Sequence, residues 1–392
     1  MQHTWRADLA AQHHSRRASN HWRERIDVGS AQSTKVIVGG RSVLNFSSND
    51  YLGLASHPQL GRAAADAVAQ WGAGSGASHL VCGHLDLHST LEREIAEFVG
   101  AERALLFSNG YMANLGICAA FAEKRDAIVQ DKLNHASLID GGRLSLAHSY
   151  RYRHLSVSHA AAILQRSEAA RHLIVSDGVF SMDGDVAPLT NLSALADAYN
   201  GLLIVDDAHG FGVLGDQGRG TLNEQGLRPR GNVLLMATLG KALGSFGAFV
   251  AGDALLIDHL LQTARSYIYT TALPPSAVSA SLAGLHLIKE AGSDLQIRLR
   301  KNIDYLRAAA AELGLNFESS NTAIQPIIIG APQRALEVSE RLRRDGVWVV
   351  AIRPPTVPVG SSRLRVTLSA NHTFNDIDVL LQSLMVALGE AQ

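Results

Sequence analysis

Short apolar runs that end in polar residues recur along the chain and predict buried strands. The clearest runs lie at residues 202–205 and 233–237, because a nearly continuous apolar segment suits a strand that is covered on both faces. Similar runs lie at 104–107, 127–130 and 173–177. Amphipathic helical patterns alternate with them, near 85–99, 160–170 and 191–200. This alternation predicts an α/β fold with a parallel sheet.

Two further patterns lie outside this alternation. Residues 36–46 hold two apolar runs around a Gly-Gly pair, which predicts a hairpin with a glycine turn. Apolar runs nearer the other end predict the strands of a smaller α/β unit, at 324–329, 347–350 and 364–368. A chain of 392 residues is too long for one compact core. We predict an N-terminal arm at 1–55, a large domain at 56–285 and a small C-terminal domain at 286–392.

Polar residues follow the two clearest strands, at the edge where ligands gather in parallel sheets. Lys241 comes after the run at 233–237, whereas Asp206 and His209 follow the run at 202–205. Desolvation of a lysine lowers its pKa, so that its amine can act as a nucleophile or base. A solvated loop lysine is the alternative for a single Gly-Lys pair, but the second strand end favours a pyridoxal phosphate site. There Lys241 would hold the aldehyde as a Schiff base, and Asp206 would pair with the pyridinium nitrogen.

Three other stretches carry weaker signals. Gly110 and Tyr111 open a helix after a strand, where backbone N–H groups suit a phosphate, although many such turns bind nothing and Tyr111 could be a core aromatic. His135 follows a strand and could lie flat on a cofactor ring or form an ordinary loop hydrogen bond. Prolines fix the backbone after Arg353, which could grip a carboxylate or form a structural salt bridge.

A group of histidines raises the question of a metal site. His84 and His88 are four residues apart, with His79 nearby. The glutamate of a His-Glu-x-x-His motif is missing, and no clear third ligand follows. We therefore expect no metal and interpret these residues as surface or cleft histidines.

The composition is that of an ordinary globular protein. Hydrophobic residues make up 46% and charged residues 18%, and a net charge of −1 lacks the basic excess of a nucleic-acid-binding protein. No uncharged apolar run approaches the roughly 20 residues needed to span a bilayer. The first residues lack the apolar region of a secretory signal, and Cys82 and Cys118 imply no disulfide framework. We expect a cytoplasmic protein without nucleic-acid or membrane partners.

Together these motifs resemble those of the α-oxoamine synthases, fold-type-I pyridoxal phosphate enzymes that condense an amino acid with an acyl thioester. The most specific segments are 45–53, 178–185, 206–210, 238–241 and 352–358. The resemblance covers nearly the whole chain and implies a large domain with a mostly parallel seven-stranded sheet plus a smaller C-terminal α/β domain. It favours the members that use L-alanine and a pimeloyl thioester, on coenzyme A or an acyl carrier protein, in biotin biosynthesis.

The same resemblance assigns roles to the candidate residues. Lys241 would carry the cofactor, Asp206 would pair with its ring nitrogen, and His209 would form a hydrogen bond with its ring hydroxyl. His135 would stack on the ring face. The other residues expected around the cofactor are Gly110, Tyr111, Ser181, Thr238 and, from the partner subunit of a homodimer, Thr271 (with Thr270 as the alternative). The expected substrate contacts are Arg353, which would hold the amino-acid carboxylate, Arg23, Thr356 and Asn49.

Two alternatives stay open. A sister enzyme of the same family could use glycine, because only the amino-acid pocket and the acyl tunnel would differ. A relative without catalysis could bind only, although the intact set of Lys241, Asp206 and His209 argues against it. The resemblance also leaves open the roles of Asp177, where some relatives carry glutamate, and of Cys82, where serine is common.

Overall fold

The structure, a computed structural model, describes residues 4–389. Its helices are α1 (Trp5–Ala18), α2 (Pro58–Trp71), α3 (Asp86–Val99), α4 (Gly110–Phe121), α5 (Ala136–Leu144), α6 (Val157–Gln165), α7 (Leu189–Ala198), α8 (Thr221–Glu224), α9 (Ala254–Thr263), α10 (Arg265–Ile268), α11 (Pro275–Glu312), α12 (Pro332–Arg344) and α13 (Phe374–Gly389). Its strands are β1 (Lys35–Val38), β2 (Arg41–Asn45), β3 (Arg103–Phe107), β4 (Ala127–Asp131), β5 (His148–Tyr152), β6 (His172–Asp177), β7 (Leu202–Asp206), β8 (Val233–Thr238), β9 (Ala248–Gly252), β10 (Ile324–Gly330), β11 (Val347–Trp348), β12 (Val350–Ile352) and β13 (Ser362–Thr367). The predicted α/β class is confirmed.

The main sheet has seven strands in the order β3-β9-β8-β7-β6-β4-β5. The strands from β8 to β5 run parallel, whereas β9 is antiparallel to both of its neighbours. The expected mostly parallel, seven-stranded sheet is therefore confirmed. Its register pairs Asp177 with Asp206 and Asp206 with Met236. The carboxyl ends of β6, β7 and β8 consequently meet along one edge of the sheet.

An apolar core covers this sheet. Every residue of β4, β6 and β9 is buried, in keeping with the nearly continuous apolar runs of their sequences. Helices α4 and α9 contribute Ile117 and Leu260 to a core that contains Val175 and Ile204. Helix α5 packs directly on α4, and the glycine at position 141 allows this close approach. A Cβ atom there would lie only 2.9 Å from a backbone oxygen of α4. The two helices that flank the candidate site are thus held in close contact.

The strands differ from the sequence prediction in two places. We did not predict β5, whose residues are polar because it lies at the sheet edge and exposes four of its five residues. The apolar run at 347–350 is not one strand, since β11 pairs with β2 whereas β12 pairs with β13. The other predicted strands near the end of the chain form the antiparallel pair β10 and β13.

The described residues form two compact units. The terminal unit contains those up to Ser48, Met182–Gly184 and those from Leu299 onward, and the central unit contains Asn49–Ser181 and Asp185–Arg298. The main sheet belongs to the central unit, and the sheets β1-β2-β11 and β10-β13-β12 belong to the terminal unit. The domain boundaries predicted after residues 55 and 285 stay a prediction. Within residues 4–389, no helix has both the length and the apolarity that a membrane crossing requires.

Candidate functional site

A cavity lies where the carboxyl ends of β6, β7 and β8 meet the start of α4, within the central unit. Its lining consists of Gly110, Tyr111, His135, Ser137, Asp177, Ser181, Asp206, Ala208, His209, Met236, Thr238 and Lys241. The structure thus brings together eight of the residues predicted from the sequence, namely Gly110, Tyr111, His135, Ser181, Asp206, His209, Thr238 and Lys241. They converge because the polar residues begin where the buried strands end.

Lys241 and His209 face each other in this cavity. Lys241 Nζ lies 3.1 Å from His209 Nε2, and His209 Nδ1 lies 2.6 Å from the Tyr51 hydroxyl oxygen. The Tyr51 hydroxyl donates to the side-chain oxygen of Asn49 at 3.1 Å, and that oxygen can only accept. The hydroxyl has one proton, so His209 Nδ1 donates to Tyr51 and Nε2 accepts from Lys241. Asn49, which we predicted as a substrate contact, therefore also helps to set the tautomer of His209.

The carboxylate of Asp206 ends β7 and is only 5% exposed. The backbone N–H of Ala208 donates to Oδ1 at 3.1 Å, and Asn114 Nδ2 donates to Oδ2 at 2.6 Å. Two donors on different oxygen atoms hold the carboxylate in one orientation. A carboxylate fixed in the wall of a cavity is suited to pair with a protonated ring nitrogen.

His135 caps α5, and its ring is held through one nitrogen. Its Nδ1 lies 2.6 Å from the Ser137 hydroxyl and accepts the Ser137 backbone N–H at 3.3 Å. Burial lowers the pKa of His135, and the negative charge of Asp206 opposes this shift. The imidazole is therefore neutral at pH 7. The Tyr111 ring stands edge-on to it, with 6.3 Å between the ring centroids.

Asp177 stands beside Asp206 in the strand register and is almost completely buried. Burial raises the pKa of Asp177 well above its usual value, and repulsion from Asp206 adds to this effect. Neighbouring buried carboxyl groups are most stable when one of them keeps its proton. Asp177 also accepts the backbone N–H of His135, at 3.1 Å from the nearer oxygen. Its contacts thus connect the end of β6 to the start of α5.

The residues of the cavity fit pyridoxal phosphate. The Thr238 hydroxyl is buried and has no hydrogen-bond partner among residues 4–389, which leaves it for an incoming oxyanion. Gly110 begins α4, and helix N-termini suit phosphate groups. A Cβ atom at Gly110 would lie 2.7 Å from the Thr238 methyl group, so glycine keeps this corner open. Lys241 for the aldehyde and Asp206 for the ring nitrogen complete the set of groups that the cofactor needs.

Thr271 lies outside the lining of this cavity. It is exposed and forms an isolated antiparallel bridge with Ser78. The alternative, Thr270, is half-buried. The expectation that Thr271 contacts a phosphate in a partner subunit stays a prediction.

Three predicted substrate contacts belong to the terminal unit and come together there. Arg23 Nη2 donates to Thr356 Oγ1 at 3.1 Å. The Arg353 guanidinium donates to the backbone oxygens of Asn20 and Trp22, the second at 3.2 Å. Burial lowers the pKa of Arg353, and the neighbouring charge of Arg23 contributes to this shift. Two adjacent guanidinium groups form a positive site that a carboxylate would neutralise.

The three histidines considered as metal ligands pack ring against ring, and His79 and His84 hydrogen-bond to each other. His79 Nδ1 lies 2.8 Å from His84 Nδ1, and His88 donates from Nε2 to the Leu273 backbone oxygen. Burial lowers the pKa of His79 to about 3, so its ring is neutral. Within the described part of the chain, no group of three or more potential ligand side chains is placed to hold a metal.

Sequence reasoning missed three residues that contact the predicted ones, namely Tyr51, Asn114 and Ser137. Tyr51 bonds to His209, Asn114 bonds to Asp206, and Ser137 bonds to His135. Tyr51 lies inside the segment 45–53, whose residues carried the family resemblance, but the sequence gives no sign of its distant partner. Only the fold reveals contacts that span 92 or 158 residues.

Comparison with proteins of known sequence identifies one family and, within it, relatives that share one name. Residues 41–384 match the family described as aminotransferase class I and II. The 8-amino-7-oxononanoate synthase of Methylococcus capsulatus is 52% identical over 372 residues, which cover 95% of this chain and 96% of that protein. The protein of the same name from Cellvibrio japonicus is 50% identical over 376 residues, which cover 96% and 94% of the two chains.

Two solved structures have a similar fold. Serine palmitoyltransferase from S. paucimobilis, with a bound PLP–myriocin aldimine, superimposes with a TM-score of 0.91 at 29% identity over 98% of this chain and 97% of that chain. The 8-amino-7-oxononanoate synthase of Francisella tularensis superimposes with a TM-score of 0.76 at 33% identity over 89% and 98% of the two chains. The similarity therefore extends over most of the fold.

We expect Gly110→Ala to weaken the binding of pyridoxal phosphate about tenfold or more, because the added methyl group would push Thr238 into the space for the cofactor. The measurement is the dissociation constant of pyridoxal phosphate for the apo-protein, followed by visible absorbance. Gly61→Ala on α2 is the matched control, since a Cβ atom there meets nothing within 4 Å. Equal affinities of Gly110→Ala and the unmodified protein would contradict this position for the cofactor.

Proposed function

Since the chain belongs to the class I and II aminotransferase family and, within it, to the 8-amino-7-oxononanoate synthases, we propose that the cavity around Lys241 is its active site. The enzyme condenses L-alanine with a pimeloyl thioester and releases 8-amino-7-oxononanoate, carbon dioxide and the free thiol, a step of biotin biosynthesis. The observation that carries the assignment of the site is the convergence of Lys241, Asp206 and His209 in one cavity.

Pyridoxal phosphate, when bound, supplies an electron sink that stabilises negative charge on the α-carbon of the substrate. Lys241 is the residue for its covalent attachment, because the amine reaches into the cavity and bonds to His209 Nε2. With its amine free, Lys241 Nζ would take the proton from the α-carbon of alanine and later return one. The Asp206 carboxylate would keep a proton on the ring nitrogen of the bound cofactor, and its donors Asn114 and Ala208 fix the orientation of the carboxylate.

His209 and His135 orient the reacting groups. His209 accepts at Nε2 because its Nδ1 donates to Tyr51, so Nε2 can share the proton of the ring hydroxyl. His135 is neutral, since burial lowers its pKa, and its uncharged ring can stack on the cofactor and exclude water from that face. Asp177 holds the backbone of His135 in the position that this stacking requires.

We further propose that Arg353 binds the carboxylate of alanine. Its guanidinium is fixed by two backbone oxygens of the N-terminal arm, so that little conformational freedom is lost when a carboxylate binds. The adjacent charge of Arg23 increases the attraction for an anion, and Thr356 holds Arg23 beside it. Arg23, Thr356 and Asn49 are the other proposed substrate contacts.

The enzyme is proposed to act as a cytoplasmic homodimer with shared active sites. Thr271 of one subunit would contact the cofactor phosphate bound to the other subunit. Two observations support this arrangement, since Thr271 is exposed in the single chain and the neighbouring Tyr269 ring is 71% exposed. Coenzyme A and an acyl carrier protein are both candidate carriers of the pimeloyl group, because each would present the same thioester carbonyl to the site.

The purified protein loaded with pyridoxal phosphate should convert L-alanine and pimeloyl-CoA into 8-amino-7-oxononanoate, identified by mass. Lys241→Ala should lower the turnover number by a factor on the order of 10³ or more, because both covalent attachment and proton transfer are lost. Lys132→Ala, at an exposed lysine, is the control and should keep full activity. Turnover of Lys241→Ala close to that of the unmodified enzyme, or faster condensation with glycine than with alanine, would contradict the proposal.

Arg353→Lys should raise the KM for alanine about tenfold or more, because a lysine cannot reproduce the bidentate grip on a carboxylate. Steady-state kinetics at saturating pimeloyl-CoA measure this effect. Arg344→Lys, on the exposed side of α12, makes the same chemical change away from the proposed contacts and should leave the KM unchanged. An unchanged KM for Arg353→Lys would exclude Arg353 as the carboxylate ligand.

Shared active sites predict that inactive subunits can complement each other. Lys241→Ala and Thr271→Ala should each be impaired as homodimers, because each lacks one part of every site. Co-expression of the two variants should restore activity, since a mixed dimer contains one site with both native residues. The measurement is the specific activity of mixed dimers purified through two different affinity tags. Mixed dimers no more active than the better parent would contradict a shared site.

A further inference from the structure

Asn114 connects two groups of the proposed active site through one amide. It lies in α4 and is fully buried. Its Nδ2 donates to Asp206 Oδ2 at 2.6 Å and to the Ser137 hydroxyl oxygen at 2.9 Å. The Ser137 hydroxyl oxygen in turn lies 2.6 Å from His135 Nδ1. One continuous chain of hydrogen bonds therefore runs from the carboxylate to the imidazole.

The chemistry of these groups fixes the direction of every bond in the chain. A carboxylate can only accept, so the amide NH₂ of Asn114, and not its oxygen, must face Asp206. The second amide hydrogen points to the Ser137 oxygen, which leaves the Ser137 hydroxyl proton for His135 Nδ1. The backbone N–H of Ser137 donates to the same nitrogen at 3.3 Å. His135 is thus held as the neutral tautomer that carries its proton on Nε2.

An asparagine at this position carries an energetic cost. Asn114 Oδ1 is buried and accepts no hydrogen bond from any residue between 4 and 389. An unpaired buried carbonyl is unfavourable, and an apolar side chain in the middle of α4 would avoid it. The helix is otherwise packed by apolar residues such as Ala113 and Ile117. The two hydrogen bonds of the NH₂ group, to Asp206 and Ser137, are therefore what favours an asparagine here.

We propose that Asn114, acting through its amide NH₂, is a positioning residue that aligns the Asp206 carboxylate with the cofactor ring nitrogen and, through Ser137, sets the tautomer and orientation of His135. The inference rests on the proposed function, because the two groups that it aligns are assigned to the cofactor there. Asn114 does not itself touch the substrate. Its effect is therefore expected in cofactor affinity and in the chemical step, and not in the KM for alanine.

The test measures four quantities on variants of the full-length protein. They are the dissociation constant of pyridoxal phosphate for the apo-protein, its pH dependence, and kcat and KM with alanine and pimeloyl-CoA. Asn114→Ala removes the NH₂ group and should weaken cofactor binding about tenfold and lower kcat by a similar factor, with an unchanged KM for alanine. Ser137→Ala keeps the bond to Asp206 and should lower kcat while cofactor affinity stays within about twofold.

Asn114→Asp gives a readout that loss of packing cannot produce. The substitution keeps the shape of the side chain but puts an oxygen against Asp206. Two carboxyl groups at this distance bind each other only when they share a proton. The affinity of Asn114→Asp for pyridoxal phosphate should therefore fall more steeply with rising pH than that of the unmodified protein, and should recover at low pH.

Cys118→Ala is the matched control. Cys118 lies one helical turn after Asn114 and is equally buried, and it packs against α5, so its truncation disturbs the same helix contact without touching the hydrogen bonds. Its cofactor affinity and kcat should stay within about twofold of the unmodified enzyme. Asn114→Ala that equals Cys118→Ala in both quantities, or Asn114→Asp with an unaltered pH dependence, would overturn the proposal. An unmodified protein that binds no pyridoxal phosphate would instead refute the proposed function itself.

Discussion

The carboxylate of Asp206 is buried at the end of strand β7. Other groups of the site satisfy its negative charge or fix its orientation. A buried carboxylate needs donors, and β7 alone cannot supply them, because its own backbone groups pair within the sheet. The donors come from the turn after β7 and from the middle of α4. Helix α4 can reach the strand end because α5 and the core hold it against the sheet. The position of one charge thus depends on the packing of the whole central unit.

Burial, which constrains Asp206, also explains why its neighbours His135 and Asp177 are neutral. Desolvation lowers the pKa of His135, and burial raises the pKa of Asp177. A second fixed charge beside Asp206 would compete with a cofactor ring for its carboxylate. Neutral neighbours leave that charge available, and Lys241 supplies the amine that faces His209 across the same cavity. The cavity thus keeps charge where the proposed chemistry requires it.

The strands and the groups at their ends could be predicted from the sequence for a simple physical reason. Buried parallel strands require continuous apolar runs, so the residue at which polarity begins also marks the edge of the sheet, as at Asp206 and Thr238. Edge strand β5 could not be predicted in this way, because its exposed residues need not be apolar. The run at 347–350 gave no sign that its two halves pair with different strands.

The supporting contacts could not be predicted in this way. Asn114 lies in α4, whose apolar sequence pattern indicates only that the helix is buried. Its partner Asp206 is 92 residues away. Tyr51 and His209 are separated by 158 residues. Such pairs arise from how helices and loops pack on the sheet, and no local pattern records that packing. The family resemblance predicts which residues act, whereas the fold reveals what holds them.

Chemical trapping can establish whether the amine of Lys241 carries the cofactor opposite Asp206. Borohydride reduction of the loaded protein would make the linkage permanent, and mass spectrometry of its peptides would locate it. We expect the added mass of the reduced cofactor on the peptide that contains Lys241. A label on a different lysine, or a protein that gains no mass although pyridoxal phosphate is in excess, would contradict it.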